Sequence, residues 1–253
     1  MIDGRDPRNI DVAVLSVFPI VDIRSNLDVL DDDGTPLMSR NCLEVTITLP
    51  SAEELTLFVN HLKSKFVDAR GLPTAELKAR ALESHQQRKR QAEFVSKRVL
   101  DRFAGEHDTA LYAVLGDFND TEQSPWIAPL TQLKQLVDVV AQTRQLDDRW
   151  TYYWRTKGRV QQLDHGFASK ALAARVTKSH ITRAGLAYRA LNAAGEALPK
   201  EVTVTHFDDD GVTPGAAQAT PDKKISFEFD RYEPIFADVG NNVSDHCPVK
   251  IWI

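Results

Sequence analysis

The stretch Leu111–Thr121 reads LYAVLGDFNDT. Its apolar run has the character of a buried strand; it ends at Gly116, and Asp117, Asn119 and Asp120 follow at once. Polar groups gathered at the tip of a core strand cost free energy unless they are paired, hydrated or bound to a metal. Taken alone, GDFND is as readily a Gly-Asp turn closing a strand as it is part of a site.

Three further stretches share the pattern. FVNHLKSK sets Asn60 and His61 at the end of LTLFV, QQLDHGFAS sets Asp164 and His165 inside a strand-like segment, and NNVSDHCPV sets Asp245 and His246 just ahead of PVKIWI. Each has an ordinary reading: a solvated strand end, a buried Asp bonded to nearby backbone, an N-cap beside a surface histidine. Side chains two residues apart on a strand share a face, so Asp117 and Asn119 converge if extended backbone continues past Gly116. Were the four tips neighbours, carboxylates, imidazoles and carboxamides would meet in one place.

Working outward, short β-rich runs recur at DVAVLS (near Asp11), LEVTITL (near Leu43), LTLFVN (near Leu55), LYAVLG, YYWR and PVKIWI. Val249, Ile251 and Ile253 alternate with Lys250 and Trp252, so a mixed or antiparallel sheet is expected. One long helix is predicted over Thr74–Phe103, with Pro73 before it, Thr74 as N-cap and an apolar stripe of Leu77, Ala81, Ala92, Val95, Val99 and Phe103. QQRKRQ, residues 86–91, reads mostly as its solvated side, with phosphate contact as the less favoured alternative. From about Leu186 to Phe236 the pattern degrades, and DDDGVTPGAAQATPDKK has the composition of a long loop, an insertion within a single domain spanning 1–253. DVLDDDGTP reads as a solvated turn, because it lacks the ligand spacing of a calcium loop.

The net charge of −5 argues against a protein that coats nucleic acid non-specifically, so phosphate binding must come from a local site or a metal. No apolar run approaches a membrane span, and the start MIDGRDPRNID lacks the apolar segment of a signal peptide. Two cysteines, Cys42 and Cys247, fit buried thiols better than a zinc or redox motif, with a single disulfide as the lesser alternative.

The ordered set NHLKSK, GDFND, LDHGFAS and SDHCPV, with GRDPRNIDVAVLSVFPI ahead of it, resembles the endonuclease/exonuclease/phosphatase family. That resemblance runs from Gly4 to Ile253, with Leu186 to Phe236 unmatched. It implies a two-sheet α/β sandwich, deoxyribonuclease I-like, and hydrolysis of phosphodiesters with Mg²⁺ or Mn²⁺. Nucleic acid is the leading substrate, and other phosphodiesters, phospholipid or sugar-phosphate esters, or a binding role without catalysis are the alternatives.

Carried over position by position, the resemblance makes His246 the general base on water and Asp164 the carboxylate that orients it. Asp117 would serve the leaving group, Asn119 a phosphate oxygen, and His61 the phosphate from the other side. Asn60 and Lys63 are weaker phosphate-binding candidates, and Asp117 and Asp245 are the metal candidates. His165 reads as a neighbour without a catalytic part. Asp11 lies where some members support the phosphate-binding histidine, a structural part being equally open. The family also carries a strand ending in Asn and another ending in a Gln-Glu pair, whose Glu is the main metal ligand. Neither precedes Asp11, so the chain reads as N-terminally incomplete or as a variant without that Glu. Location stays open, secreted or periplasmic if a signal peptide lies upstream.

Overall fold

A computed structural model describes residues 4–68, 70–154, 157–183, 186, 201–206, 212, 221–226 and 244–253. Its strands run in chain order β1 (Ile20–Arg24), β2 (Cys42–Thr48), β3 (Glu54–His61), β4 (Leu111–Asp117), β5 (Leu136–Asp138), β6 (Tyr152–Trp154), β7 (Arg159–Gln161), β8 (Asp164–Ser169), β9 (Lys178–Ile181), β10 (Glu201–Val204), β11 (Lys223–Ser226) and β12 (Val249–Trp252). The first sheet has the order β1-β2-β3-β4-β8-β5; β11-β10-β7-β6 and β12-β9 form the others. These last two are linked where Tyr152 bridges His246 and the N–H of Cys247 donates to the carbonyl of Thr151 at 2.7 Å. The architecture is mixed α/β with two main sheets, as expected. Parallel pairing of β3 with β4 follows from the long helix α1 (Thr74–Arg102) that connects them, since a parallel crossover needs such a span.

Alternation along β3 decides what faces what. Phe58 and Leu62 point to α1, where they pack with Ala92, Val95 and Val99; Leu55, Leu57 and Val59 point to the opposite face, with Ala113 and Ala168. On that second face an apolar cavity of about 200 Å³ is lined by residues that include Leu57, Leu115, Gly166, Ile251 and Ile253. The alternation expected for β12 is therefore present, but it borders this cavity: Ile251 and Ile253 are 39% and 56% exposed.

Several expectations need correcting. DVAVLS forms no strand; the first strand is β1, and Val12 and Val14 pack on the sheet while Leu15 and Val17 stay exposed. Thr74 is the first helical residue after Pro73 and makes no side-chain cap. QQRKRQ is solvated in part, with Gln86 and Lys89 exposed, but Arg88 and Gln91 are fully buried: at helical spacing both fall on the inner stripe, where polar partners await them. Within the stretch read as loop, β10 and β11 pair with each other and β10 pairs with β7, since Val202 and Val204 find apolar cover. Most of 186–236 lies outside the described residues. The DVLDDDGTP turn closes as expected on Asp31 and Thr35, and both cysteines are free and buried.

Candidate active site

Three strands bring three site residues into one row. β3, β4 and β8 are neighbours, and their registers pair His61 with Asp117 and Asp117 with Asp164. Residues paired across a sheet point to the same face, so all three project where Val59 and Ala168 project, away from α1. Nε2 of His61 lies 3.2 Å from Oδ2 of Asp117. From the other main sheet, the segment before β12 delivers His246, whose Nδ1 is 2.8 Å from Oδ2 of Asp164 and whose Nε2 is 4.0 Å from Oδ2 of Asp117. Tyr152 stacks at a tilt over this imidazole, with ring centres 5.0 Å apart. Thr151, fully buried, accepts the N–H groups of Leu163 and Asp164 through Oγ1 at 3.1 and 2.9 Å and so pins the start of β8 beside the His246 segment.

Asn119 joins the site by a different route from the one expected. β4 ends at Asp117, and Asn119 takes a left-handed backbone with φ of 53°. Its N–H donates to Oδ1 of Asp117 at 2.8 Å, and its side-chain amide donates to Oδ2 of Asp117 at 3.1 Å and to the carbonyl of Leu62 at 3.0 Å. A turn, not strand alternation, therefore joins the two residues; Asn tolerates that backbone better than most. Both amide hydrogens are engaged, so a phosphate oxygen would have to replace one of these acceptors. Gly116 makes the approach possible: at φ of 131°, a Cβ there would stand 1.9 Å from the carbonyl oxygen of Asn60.

The charges are balanced around Asp117. Burial disfavours its ionisation, but the His61 bond, the two nearby imidazoles and the Asn119 N–H hold its carboxyl below the usual range. Burial likewise works against a charged His246, yet Asp164, then Asp117 and Asp245, take its pKa up to about 9. Among the described residues, the group able to share a cation is Asp117, Asp164 and His246, with ligand atoms within 4.8 Å of one another.

Asp245 does not join that group. It lies at a bend, where it is exposed, contrary to the metal contact expected of it. Asn60 also departs from expectation: it faces α1, is buried, and donates to the carbonyl of Phe58 at 2.9 Å. Asp11 accepts the N–H of Gly4 at 2.5 Å, and the carboxylate on His61 is Asp117 instead. His165 points to the α1 side and reaches the carbonyl of Asp120 at 2.8 Å, clear of the row.

Sequence reading missed the support behind the row. Asp120 is buried and holds Arg88 and Lys65, each at 2.9 Å. Burial opposes its ionisation, and those two cations keep its carboxyl below the usual range. Arg88 also donates to the carbonyl of Lys63 at 2.6 Å and contacts Nδ1 of His85. One helical side chain thus ties the loop after His61 to the loop after Asp117. The available signal was its position four residues before Ala92, on the buried stripe.

No family model and no curated protein matches this chain. Solved structures do match it. Truncated Caenorhabditis elegans TDP2 is 15% identical, over 68% of this chain and 59% of its own, with a TM-score of 0.45. An endonuclease/exonuclease/phosphatase family protein from Bacteroides thetaiotaomicron is 14% identical, over 72% and 60%, with a TM-score of 0.45. The chain resembles that family in structure. The mannosyl-6-phosphatase Bt3783 of the same bacterium is 15% identical, over 71% and 62%, with a TM-score of 0.44. The chain spans about three-fifths of the length of these proteins.

Proposed function

We propose that this protein is a divalent-metal-dependent phosphodiester hydrolase acting on nucleic acid. The observation that carries the reading is His246, bonded through Nδ1 to Asp164 at 2.8 Å while its Nε2 faces Asp117. Asp164 holds the ring with Nδ1 inward, which leaves Nε2 to accept a proton from water, the division of labour of a His-Asp pair. His61 and Asn119 both rest on Asp117, and each can exchange that bond for a phosphoryl oxygen. Asp117 then stands on the leaving-group side.

The donor set suits Mg²⁺ or Mn²⁺, which take oxygen ligands and are commonly held by one or two carboxylates, with water and phosphate completing the shell. Asp117 and Asp164 would hold it, in place of the expected Asp117 and Asp245. A bound ion supplies charge stabilisation at the phosphoryl and leaving oxygens. The overall charge of −5 favours a second reading, in which the ester belongs to a lipid or sugar phosphate.

Release of nitrophenol from bis(4-nitrophenyl) phosphate in Mn²⁺, abolished by EDTA and by His246→Ala, is the expected result. Activity that survives either treatment overturns the mechanism. Cleavage of phospholipid or sugar-phosphate esters in preference to single-stranded DNA or RNA selects the second reading.

A further inference from the structure

Lys63 lies two residues beyond His61, and its main chain is clamped on both sides. Its N–H donates to Oε1 of Gln91 at 2.7 Å, and its carbonyl accepts from Arg88 at 2.6 Å. Both clamps are buried on α1. The Lys63 side chain, by contrast, is half-buried and makes no ion pair among the described residues, although cations surround it. Burial pushes its ammonium down, and Arg40, Arg8 and Arg88 push further, against the pull of Asp6.

The nearby carboxylates are already in use. Asp6 serves Arg40 at 2.6 Å and Arg8 at 3.1 Å, while Asp120 serves Lys65 and Arg88. Four cations already share two carboxylates here, and Lys63 adds a fifth cation, in a chain whose net charge is −5. A half-buried ammonium among like charges is unfavourable until an anion joins it. The group is also tied to the reaction site: the carbonyl of Leu62 accepts from Arg40 at 3.3 Å and from Asn119 at 3.0 Å.

We infer that Lys63, with the exposed Arg8 beside it, forms a subsite for a second phosphate, one nucleotide along the strand from the phosphate that meets His61, Asp117 and His246. This rests on the phosphodiesterase reading above. β3 ends at His61, and the two residues from there to Lys63 span at most about 7 Å, so Lys63 lies within reach of the phosphate next to the reacting group. Lysine and arginine contacts of this kind position a nucleic-acid backbone without reading its bases.

The test compares wild type with Lys63→Met and Lys63→Arg on bis(4-nitrophenyl) phosphate, on the dinucleotide TpT, and on TpT carrying a 5′- or a 3′-terminal phosphate. Lys63→Met should lose about tenfold in kcat/KM, through KM, on one phosphorylated dinucleotide, and stay within about twofold on the unphosphorylated substrates. Lys63→Arg should recover most of the loss. Equal losses on all substrates, or none on any, overturn the subsite. If wild type cleaves none of them, the phosphodiesterase reading has failed separately, and binding of thymidine 3′,5′-bisphosphate without metal decides the subsite. Weaker binding by about fivefold or more in Lys63→Met sustains it, and equal binding overturns it.

Discussion

Oδ2 of Asp164 lies 2.8 Å from Nδ1 of His246, although 82 positions of sequence separate the two residues. The proximity depends on the two main sheets facing each other, with Tyr152 and Thr151 fastening the His246 segment to the start of β8. If the pair acts as a unit, each single loss should leave the other residue with little to do. His246→Ala should lower kcat on bis(4-nitrophenyl) phosphate by roughly 10³-fold, and adding Asp164→Ala, at Mn²⁺ high enough to keep the site loaded, should cost little more. Steady-state kinetics of both singles and the double check this; additive losses would sink the pairing.

The raised pKa of His246, about 9, carries a sign for both activity and stability. A base must be neutral, so kcat/KM at a fixed Mg²⁺ concentration should climb with pH, and Asp164→Asn should move the climb to lower pH. Because the folded value lies above the unfolded one, the stabilising contribution is full below the ordinary histidine range and lost as pH rises through about 9. Denaturant melts across pH 6 to about 10 should show that fall in wild type and a flatter curve in Asp164→Asn. A curve unchanged by the substitution would contradict the assignment.

Arg88 and Asp120 form a buried ion pair behind the site, and removal of one partner leaves the other uncompensated. Arg88→Met should cost about 3–5 kcal/mol in urea denaturation, because the carbonyl of Lys63 also loses its donor. Pairing it with Asp120→Leu should restore part of that loss. Asp120 is held below its ordinary range, so its share of stability is present at neutral pH and disappears on acidification. Separate losses that simply add would show that the two do not interact.

Gly116→Ala should be among the most damaging single changes. A methyl group at φ of 131° would stand 1.9 Å from the Asn60 carbonyl oxygen, which β3 cannot move without breaking its ladder to β4. A loss of roughly 3 kcal/mol or more, or failure to accumulate folded protein, is expected. Near-native thermal stability would mean that the backbone there is far more forgiving than its geometry indicates.

The outline of the fold was legible because apolar periodicity is local. The long helix, the strand ending at Gly116 and the four polar tips all declare themselves within a few residues, and the order of the tips carried the family resemblance. What stayed hidden depends on which elements become neighbours. That His61, Asp117 and Asp164 form one row follows from the order β3-β4-β8 and its registers, which no short stretch encodes. Asn60 and Asp245 stood as candidates beside His61 and His246 in the sequence, yet strand alternation sends Asn60 under α1 and a bend leaves Asp245 in solvent. Arg88 and Gln91 read as a wet basic run because composition cannot tell a charged residue facing water from one whose partners arrive from distant loops. Local chemistry was written in the sequence; the pairing of buried charges was decided only by tertiary structure, because the cost of burying a charge is offset by whatever partner the fold brings to it.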